Sequence, residues 1–268
     1  MSHAPPFARY SDGGVTFRRP VPPRTGPAEL IDLAIIGDGR MGRALSQPLR
    51  ASGLRVSGPH GRCSDGAGAQ AVLLCVPDGA IAEAAGHVPP APGRLVGHCS
   101  GATTLEPLAP HADRFSFHPL MTVTGPGTDF TGAGAAVAGS TDAASGFARR
   151  LAETLAMRPF TVADEDRAAY HAAASVASNY LLALEAAAER LLPEGTDRAV
   201  LVPLVRQTVE NWAELGAAQA LTGPIARGDE ATVERQRAAV ATKEPGMLRL
   251  FDTLADETRR LAQQEVPA

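Results

Sequence analysis

The chain has 268 residues, a formal net charge of −4 and 44% hydrophobic residues, which is enough for one large core or two modest ones. This slightly acidic balance gives no electrostatic case for binding nucleic acid or an anionic membrane. No apolar run reaches the roughly 20 residues that a membrane-spanning helix needs, and the first residues lack the apolar core of a signal peptide. The three cysteines have no metal-ligand spacing, so we expect no metal and reduced thiols in a cytoplasmic protein.

Composition and periodicity divide the chain into three regions. Residues 1–28 are rich in proline and arginine without periodicity, which predicts a disordered tail; a basic anchor for a partner is the alternative. Residues 29–163 alternate short apolar runs with helical stretches, a pattern typical of a parallel sheet covered by helices. Residues 164–268 are helical throughout and predict a separate domain.

The first apolar run ends in a Gly-x-Gly-x-x-Gly turn. Ile31–Ile36 predicts a buried strand, and a helix is predicted from Arg43 to about Ala51, kinked or shortened at Pro48. The glycines permit the tight bend, the approach of a pyrophosphate and close packing of helix on strand. The phosphates then lie on the free N–H groups of the helix. A purely structural turn is the alternative to this dinucleotide site. The predicted cofactor-binding residues are Gly37, Asp38, Gly39, Arg40, Met41 and Gly42.

The second strand, predicted over Gly53–Ser57, indicates which dinucleotide binds. NAD enzymes place an acid near this point to hold the ribose 2′-hydroxyl, yet no acid occurs between Gly42 and Asp65. Hydroxyl and guanidinium groups, which suit a 2′-phosphate, are present instead. NADP(H) is therefore the predicted cofactor. The alternative is that Arg62 is an ordinary solvated charge in a loop. The polar cluster consists of Ser57, His60 and Arg62.

The remaining elements complete the predicted architecture. Further strands are predicted over Ala71–Val76, Arg94–His98, Arg114–Phe117, Ala135–Ala138 and Pro159–Val162. Helices are predicted over residues 164–192, 197–215, 230–242 and 247–264. The predicted fold class is α/β, a Rossmann doubly wound parallel sheet over residues 29–163 followed by an all-helical C-terminal domain over residues 164–268.

Two polar residues follow neighbouring predicted strands at the carboxyl edge of the sheet. Ser100 comes after the strand that ends at His98, and His118 follows Phe117. Open α/β sheets bind ligands at this edge, and a hydroxyl with an imidazole suits proton transfer coupled to hydride transfer. Ser100 is alternatively a helix N-cap, and His118 alternatively caps the turn before Pro119.

The long predicted helix carries a polar stripe. His171, Ser175 and Asn179 are spaced i, i+4, i+8, which places them on one face of an α-helix among alanines. The stripe is either part of a catalytic site or a set of hydrogen bonds between helices. Since Lys243 is the only lysine of the chain, imidazole is the favoured acid on this helix.

A loop rich in glycine and proline, Leu221–Asp229, separates two predicted helices. It presents Arg227 for a carboxylate or phosphate, with Thr222 as a second donor. These two residues are the candidates for substrate binding, and a loop without function is the alternative. Asp229 either holds Arg227 or caps the next helix.

Together these segments resemble a bacterial family in which a Rossmann-like domain precedes a helical domain of uncharacterised function, within the 6-phosphogluconate-dehydrogenase-like superfamily. The resemblance implies an NADP-type oxidoreductase, often a homodimer through its helical domain. It also implies that Val76, Pro77 and Asp78 line the nicotinamide half of the cofactor. The matching stretches are Ile36–Gly42, Val76–Asp78, His98–Gly101, Phe117–Leu120, Tyr170–Tyr180 and Leu221–Asp229.

Three groups of relatives bracket the chemistry that the resemblance implies. His118-Pro119 is similar to the His-Pro motif of prephenate dehydrogenases, in which a histidine handles the proton of the substrate hydroxyl. The stripe lies where ketopantoate reductases and β-hydroxyacid dehydrogenases carry Lys and Asn, but this helix has no lysine. Pyrroline-carboxylate reductases, which reduce a C=N bond, are the third group.

The sequence thus favours an NADP(H)-dependent oxidoreductase of a small carboxylate-bearing carbonyl compound, with a ketopantoate-like 2-oxo acid as the first choice. His118 or His171 would donate the proton. Ser100 and Asn179 would position the oxygen, and Arg227 would hold the carboxylate. The alternatives are an imine reductase of the pyrroline-carboxylate type and an NADP-binding sensor or interaction protein without turnover.

Overall fold

The computed structural model describes residues 31–264, so the tail predicted for residues 1–28 lies outside the described residues. The chain divides into two compact units, with the division between Ala172 and Ala173. The first unit contains the sheet. The described elements of the second unit are all helices.

The first unit is built on a sheet that has seven strands within residues 31–264, in the order β2-β1-β3-β4-β5-β6-β7. Strands β1 to β5 are parallel, as predicted. The strands are β1 Asp32–Ile36, β2 Arg55–His60, β3 Ala71–Leu74, β4 Leu95–His98, β5 Asp113–Leu120, β6 Gly134–Gly139 and β7 Arg158–Phe160.

The sheet departs from parallel pairing at one edge. Strand β6 pairs antiparallel with β5, and β7 pairs parallel with β6. A parallel neighbour needs a crossover connection, usually a helix, and residues 121–133 between β5 and β6 contain no helix. The chain therefore reverses direction after β5.

Helices cover both faces of this sheet. The first unit contains α1 Arg40–Ala51, α2 Ile81–His87, α3 Asp142–Thr154 and the beginning of α4 Arg167–Ser175. On one face Leu33 and Ile35 of β1 are buried in a cluster with side chains of α1 and α3. On the other face Ala34 and Ile36 are buried with side chains of α2, as the alternation of side chains along a strand requires. Helix α1 begins earlier than predicted and continues through Pro48, so the proline does not shorten it.

The region from residue 164 onward is helical as predicted, with one change. The long helix predicted over residues 164–192 is divided into a 3₁₀ turn at Asp164–Asp166, α4, a π-helical turn at Val176–Tyr180, and α5. No helix within residues 31–264 is long and apolar enough to cross a membrane. The remaining helices are α5 Leu181–Leu191, α6 Val202–Leu215, α7 Ala217–Ala220, α8 Glu230–Lys243 and α9 Leu248–Ala262.

Candidate active site

The glycine turn between β1 and α1 has the geometry that its sequence predicts. Gly37 has φ +114°, and a Cβ there would lie 2.2 Å from the carbonyl oxygen of Cys75. A Cβ at Gly42 would lie 2.0 Å from the carbonyl oxygen of Gly37. A Cβ at Gly39 would have no atom within 4 Å. The first and third glycines are thus required by packing, whereas the second faces open space, where the pyrophosphate of a dinucleotide would fit.

Charges around this turn leave the helix N-terminus suitable for an anion. Arg43 donates two hydrogen bonds to the carboxylate of Asp38, at 2.7 and 2.8 Å. This bidentate bond holds the pKa of Asp38 below its ordinary value. Arg40, the first residue of α1, is exposed, and Met41 packs against the core. Since Arg43 neutralises Asp38, Arg40 and the helix dipole give the turn a net positive character.

The end of β2 is joined to the same turn. The N–H of Gly37 donates to the carbonyl oxygen of His60 at 2.8 Å. The His60 ring nitrogen Nε2 lies 3.1 Å from the Ser57 hydroxyl, and Arg62 is exposed just after the strand. Ser57 and His60 therefore lie on the strand next to the turn and Arg62 lies just after it, and their binding of a 2′-phosphate stays a prediction.

The Ser100 hydroxyl connects the ends of β3 and β4. It donates to Oδ2 of Asp78 at 2.8 Å, and it accepts from the amides of Ala102 and Thr103 at 3.2 and 3.0 Å. Ser100 thus caps a turn rather than the helix of its alternative interpretation, and it also binds the aspartate. Val76 and Pro77 lead into the 3₁₀ turn that begins at Asp78.

The buried His98 side chain holds the loop that contains Ser100 through two hydrogen bonds. The His98 side chain accepts the N–H of Ser100 at Nδ1, at 3.2 Å, and Nε2 lies 3.0 Å from the carbonyl oxygen of Thr104. This pattern leaves one proton on the ring, at Nε2. Burial lowers the pKa of His98, which agrees with a neutral ring.

His118 and Tyr170 form a hydrogen-bonded pair between β5 and α4. His118 lies inside β5, opposite Ala136 of β6, so the prediction that it follows the end of the strand is wrong, and so is the alternative that it caps a turn. Its Nδ1 lies 2.7 Å from the Tyr170 hydroxyl. A Cβ at Gly101 would lie 2.8 Å from Cε1 of the same ring, which brings His118 against the Ser100 loop. We call Asp78, Ser100, His118 and Tyr170 the edge cluster.

The titration of this pair differs from that of exposed side chains. Burial, with the nearby His171 as the next cause, lowers the pKa of His118 to about 4. Burial raises the pKa of Tyr170 to about 12. Near neutral pH the imidazole is therefore neutral and the phenol keeps its proton. The proton-donor role predicted for His118 needs a charged ring, and this environment disfavours that form.

Two residues near His118 come from the start of α4. The ring centroids of His171 and His118 lie 6.4 Å apart, and His171 is exposed. Arg167 is 3% exposed and donates to Asp164 at 2.7 Å and to the Ser116 hydroxyl of β5 at 3.2 Å. Sequence reasoning missed Tyr170 and Arg167, although an arginine and a tyrosine next to the polar stripe were visible signals.

The other predicted site residues lie in the second unit. Ser175 ends α4, and Asn179 lies in the π-helical turn. Because a π turn has more residues than an α turn, the spacing of Asn179 from His171 departs from that of the regular α-helix that the prediction assumed. Thr222 and Arg227 are both exposed in the loop before α8. Asp229 caps α8 by accepting the N–H of Thr232 at 3.0 Å, the second of its predicted alternatives.

The sheet order and the glycine turn define a protein with a Rossmann-like fold. The family described as "Domain of unknown function (DUF2520)" matches residues 134–258. A search of curated protein sequences gives no match.

Solved structures share this fold at low sequence identity. A candidate NADP oxidoreductase from Bacteroides fragilis is 22% identical with a TM-score of 0.74, over 86% of this chain and 98% of that one. A protein from Thermotoga maritima is 22% identical with a TM-score of 0.73, over 87% and 100%. A reductive aminase from Aspergillus terreus, in complex with NADPH and ethyl levulinate, is 19% identical with a TM-score of 0.60, over 86% and 94%.

Proposed function

We propose that this protein is an NADPH-dependent reductase of a small carbonyl compound that bears a carboxylate, with a ketopantoate-like 2-oxo acid as the first candidate. The observation that carries the proposal is the Tyr170 hydroxyl, 2.7 Å from a neutral imidazole. His118 lies in the same sheet that presents the glycine turn, and Tyr170 reaches it from α4.

The residues of the turn fit a dinucleotide. The open space at Gly39 and the free N–H groups at the start of α1 suit the pyrophosphate. Ser57 and Arg62 suit a 2′-phosphate, and Asp78, with Val76 and Pro77 before it, would border the nicotinamide. Bound NADPH supplies a hydride. The remaining steps, which orient the carbonyl and deliver a proton, belong to side chains.

Tyr170 is the proposed proton donor. In one tautomer the neutral His118 donates from Nδ1 to the phenol oxygen, which leaves the phenol proton free to move to the substrate oxygen. The same N–H then stabilises the phenolate that remains. An alkoxide is a stronger base than a phenolate, so a phenol with a pKa of about 12 can protonate it.

The acidity of this pair favours a carbonyl over an imine. A C=N bond accepts a hydride readily only after its nitrogen is protonated, and a phenol with a pKa of about 12 is too weak an acid for that step. Imine reduction remains the second candidate, because the chain shares its fold with a reductive aminase and an imine reductase. The NADP-binding sensor is the third.

The assignments in the second unit are proposals with separate tests. Arg227 and Thr222 are proposed to bind the substrate carboxylate, and Ser175 and Asn179 to position the substrate. Because both residues are proposed to contact the substrate and not the cofactor, Arg227→Gln and Asn179→Ala should raise KM or lower turnover without changing NADPH affinity.

The test is the loss of NADPH absorbance with a panel of 2-oxo acids, simple ketones and cyclic imines, using the full chain. Turnover of a 2-oxo acid that falls in Tyr170→Phe supports the proposal. Turnover of cyclic imines only would establish the second candidate. NADPH binding without turnover of any compound would establish the sensor, and absence of NADPH binding would overturn all three.

A further inference from the structure

Two cysteines lie side by side behind the glycine turn. Cys75 follows β3 and Cys99 follows β4, whose last residues Leu74 and His98 are paired in register. The two sulfur atoms are 3.6 Å apart. Cys75 is buried and Cys99 is half-buried, whereas Cys63 is exposed.

The backbone positions suit a disulfide. Neighbouring strands are about 4.8 Å apart, which falls within the range of about 4.4–6.8 Å between Cα atoms of bridged cysteines. Because Leu74 and His98 are in register, Cys75 and Cys99 are the next pair along. Side-chain rotation with a small backbone adjustment can then bring the sulfurs from contact to bonding distance.

Both cysteines connect directly to the proposed cofactor site. The Cys75 N–H donates to the carbonyl oxygen of Ile36 at 2.7 Å, and the Cys75 carbonyl oxygen occupies the space that a side chain at Gly37 would need. Cys99 precedes Ser100, the partner of Asp78. A covalent bond between the sulfurs would therefore displace the glycine turn relative to the Ser100 loop.

From this geometry we propose that Cys75 and Cys99 are an oxidisable dithiol whose disulfide weakens cofactor binding. The oxidant is a peroxide. The Cys99 thiolate attacks one peroxide oxygen and becomes a sulfenic acid, as the O–O bond breaks and hydroxide leaves. The hydroxide takes up the proton that the thiol released and becomes water. The Cys75 sulfur then attacks the Cys99 sulfur and releases a second water, so that two thiols lose two electrons to the peroxide.

The local environment makes this a slow reaction at neutral pH. The hydrogen bond with Cys75, together with burial, raises the pKa of the Cys99 thiol. The thiolate is the reactive form, so oxidation should accelerate as the pH rises. The pair would respond to sustained oxidation rather than to brief exposure.

The test uses Cys63→Ser, which retains only the proposed pair, with Cys63→Ser/Cys99→Ser as the matched control. After hydrogen peroxide treatment at about pH 9, peptide mapping should show a Cys75–Cys99 cross-link and a mass loss of two hydrogens. The control should show no cross-link. NADPH affinity, measured by fluorescence titration, should fall at least about tenfold and recover with dithiothreitol.

The experiment distinguishes failure of this proposal from failure of the proposed function. Only the affinity measurement rests on the proposed function, whereas the cross-link measurement does not. A folded protein that forms no cross-link at about pH 9 overturns the dithiol. A cross-link that leaves NADPH affinity unchanged overturns its effect on the cofactor site. If the reduced protein binds no NADPH, the proposed function fails while the cross-link test still decides the dithiol.

Discussion

At the scale of single residues, Tyr170 is the side chain on which the proposed chemistry depends most. Tyr170→Phe removes the hydroxyl and keeps the ring, so turnover should fall by about 10²–10⁴-fold while NADPH affinity stays unchanged. Tyr180→Phe, at an exposed tyrosine, is the matched control. Single-turnover kinetics measure the effect. If Tyr170→Phe keeps its rate and His171→Asn loses it, the proton comes from His171.

His118 should make the stability of the folded protein depend on pH. Its pKa is about 4, below the ordinary value of 6.5, so between these values the unfolded chain binds more protons. The free energy of unfolding therefore falls as the pH drops from 6.5 to 4, with a contribution from His118 of roughly 1–3 kcal/mol. His118→Gln should lose less stability over this range in urea unfolding.

His87→Gln, at an exposed histidine, is the control for that experiment. The pKa of buried His98 is also lowered, so His98 adds to the pH dependence of the free energy of unfolding in the same direction. This contribution is present in every variant and does not affect the comparison of wild type with His118→Gln. Parallel curves for wild type and His118→Gln would show that the His118 ring titrates as it does in the unfolded chain.

Arg62 tests the choice of dinucleotide. Arg62→Glu removes a guanidinium and adds a charge that repels a 2′-phosphate, so NADPH binding should weaken by roughly 1.5–3 kcal/mol. NADH binding should stay constant or improve. Arg149→Glu, at an exposed position of α3, changes the net charge equally and should leave both affinities as they are. Equal affinity of the wild type for the two cofactors would remove the basis of the NADP assignment.

At the scale of elements, the turn between β1 and α1 separates a structural glycine from a binding glycine. Gly39 has extended backbone, with φ −85° and ψ −173°, which valine adopts easily, and there is space for its side chain. Gly39→Val should therefore keep the fold and abolish NADPH binding in titration calorimetry. Gly42→Ala, which would clash with the Gly37 carbonyl, should lower the free energy of unfolding by about 1–3 kcal/mol. Retained NADPH binding in Gly39→Val would mean that the turn has only a structural role.

The strands could be predicted because each one is a short apolar run bounded by turn residues. Their direction could not always be predicted, since an apolar run such as Ala135–Ala138 reads the same in a parallel or antiparallel strand. The π-helical turn at Val176–Tyr180 was equally hidden, because a helical pattern does not show where one extra residue enters a turn.

The site was predictable where its residues follow strand ends and not where they depend on long-range contacts. Ser100 and Asp78 fall at the carboxyl edge by topology. Tyr170 is 52 residues from His118, and no local spacing brings the two together. Burial in the folded protein lowers the pKa of His118. The sequence does not show this burial, so it favoured His118 as an acid.

At the scale of the whole molecule, the second unit leaves much apolar surface exposed. Within its described residues, the buried apolar side chains are only Ala187, Val233, Val240 and Ala255. Large apolar side chains that stay exposed include Leu182, Val200, Leu204, Leu215 and Leu250. An exposed apolar area of this kind is typical of an interface.

Helix α6 carries part of this exposed apolar surface. Val202, Val205, Val209 and Trp212 are spaced i, i+3, i+7, i+10, which forms the seam of a helix that packs against another helix. Val202, Val209 and Trp212 are 40%, 45% and 59% exposed. A self-complementary apolar seam is suited to a two-fold contact, so we propose a homodimer through the helical unit.

Val209→Glu tests this homodimer because it places a charge in the middle of the α6 seam. Burying an unpaired carboxylate is strongly unfavourable, so the variant should sediment as a monomer where the wild type sediments as a dimer. Trp212 is the only tryptophan, and its emission should shift to longer wavelength as the seam becomes solvated. Gln207→Glu, on the opposite face of α6, should leave both readouts unchanged. A wild type that is monomeric at micromolar concentration, with solvent-exposed Trp212 emission, would show that the seam is not covered by a second copy.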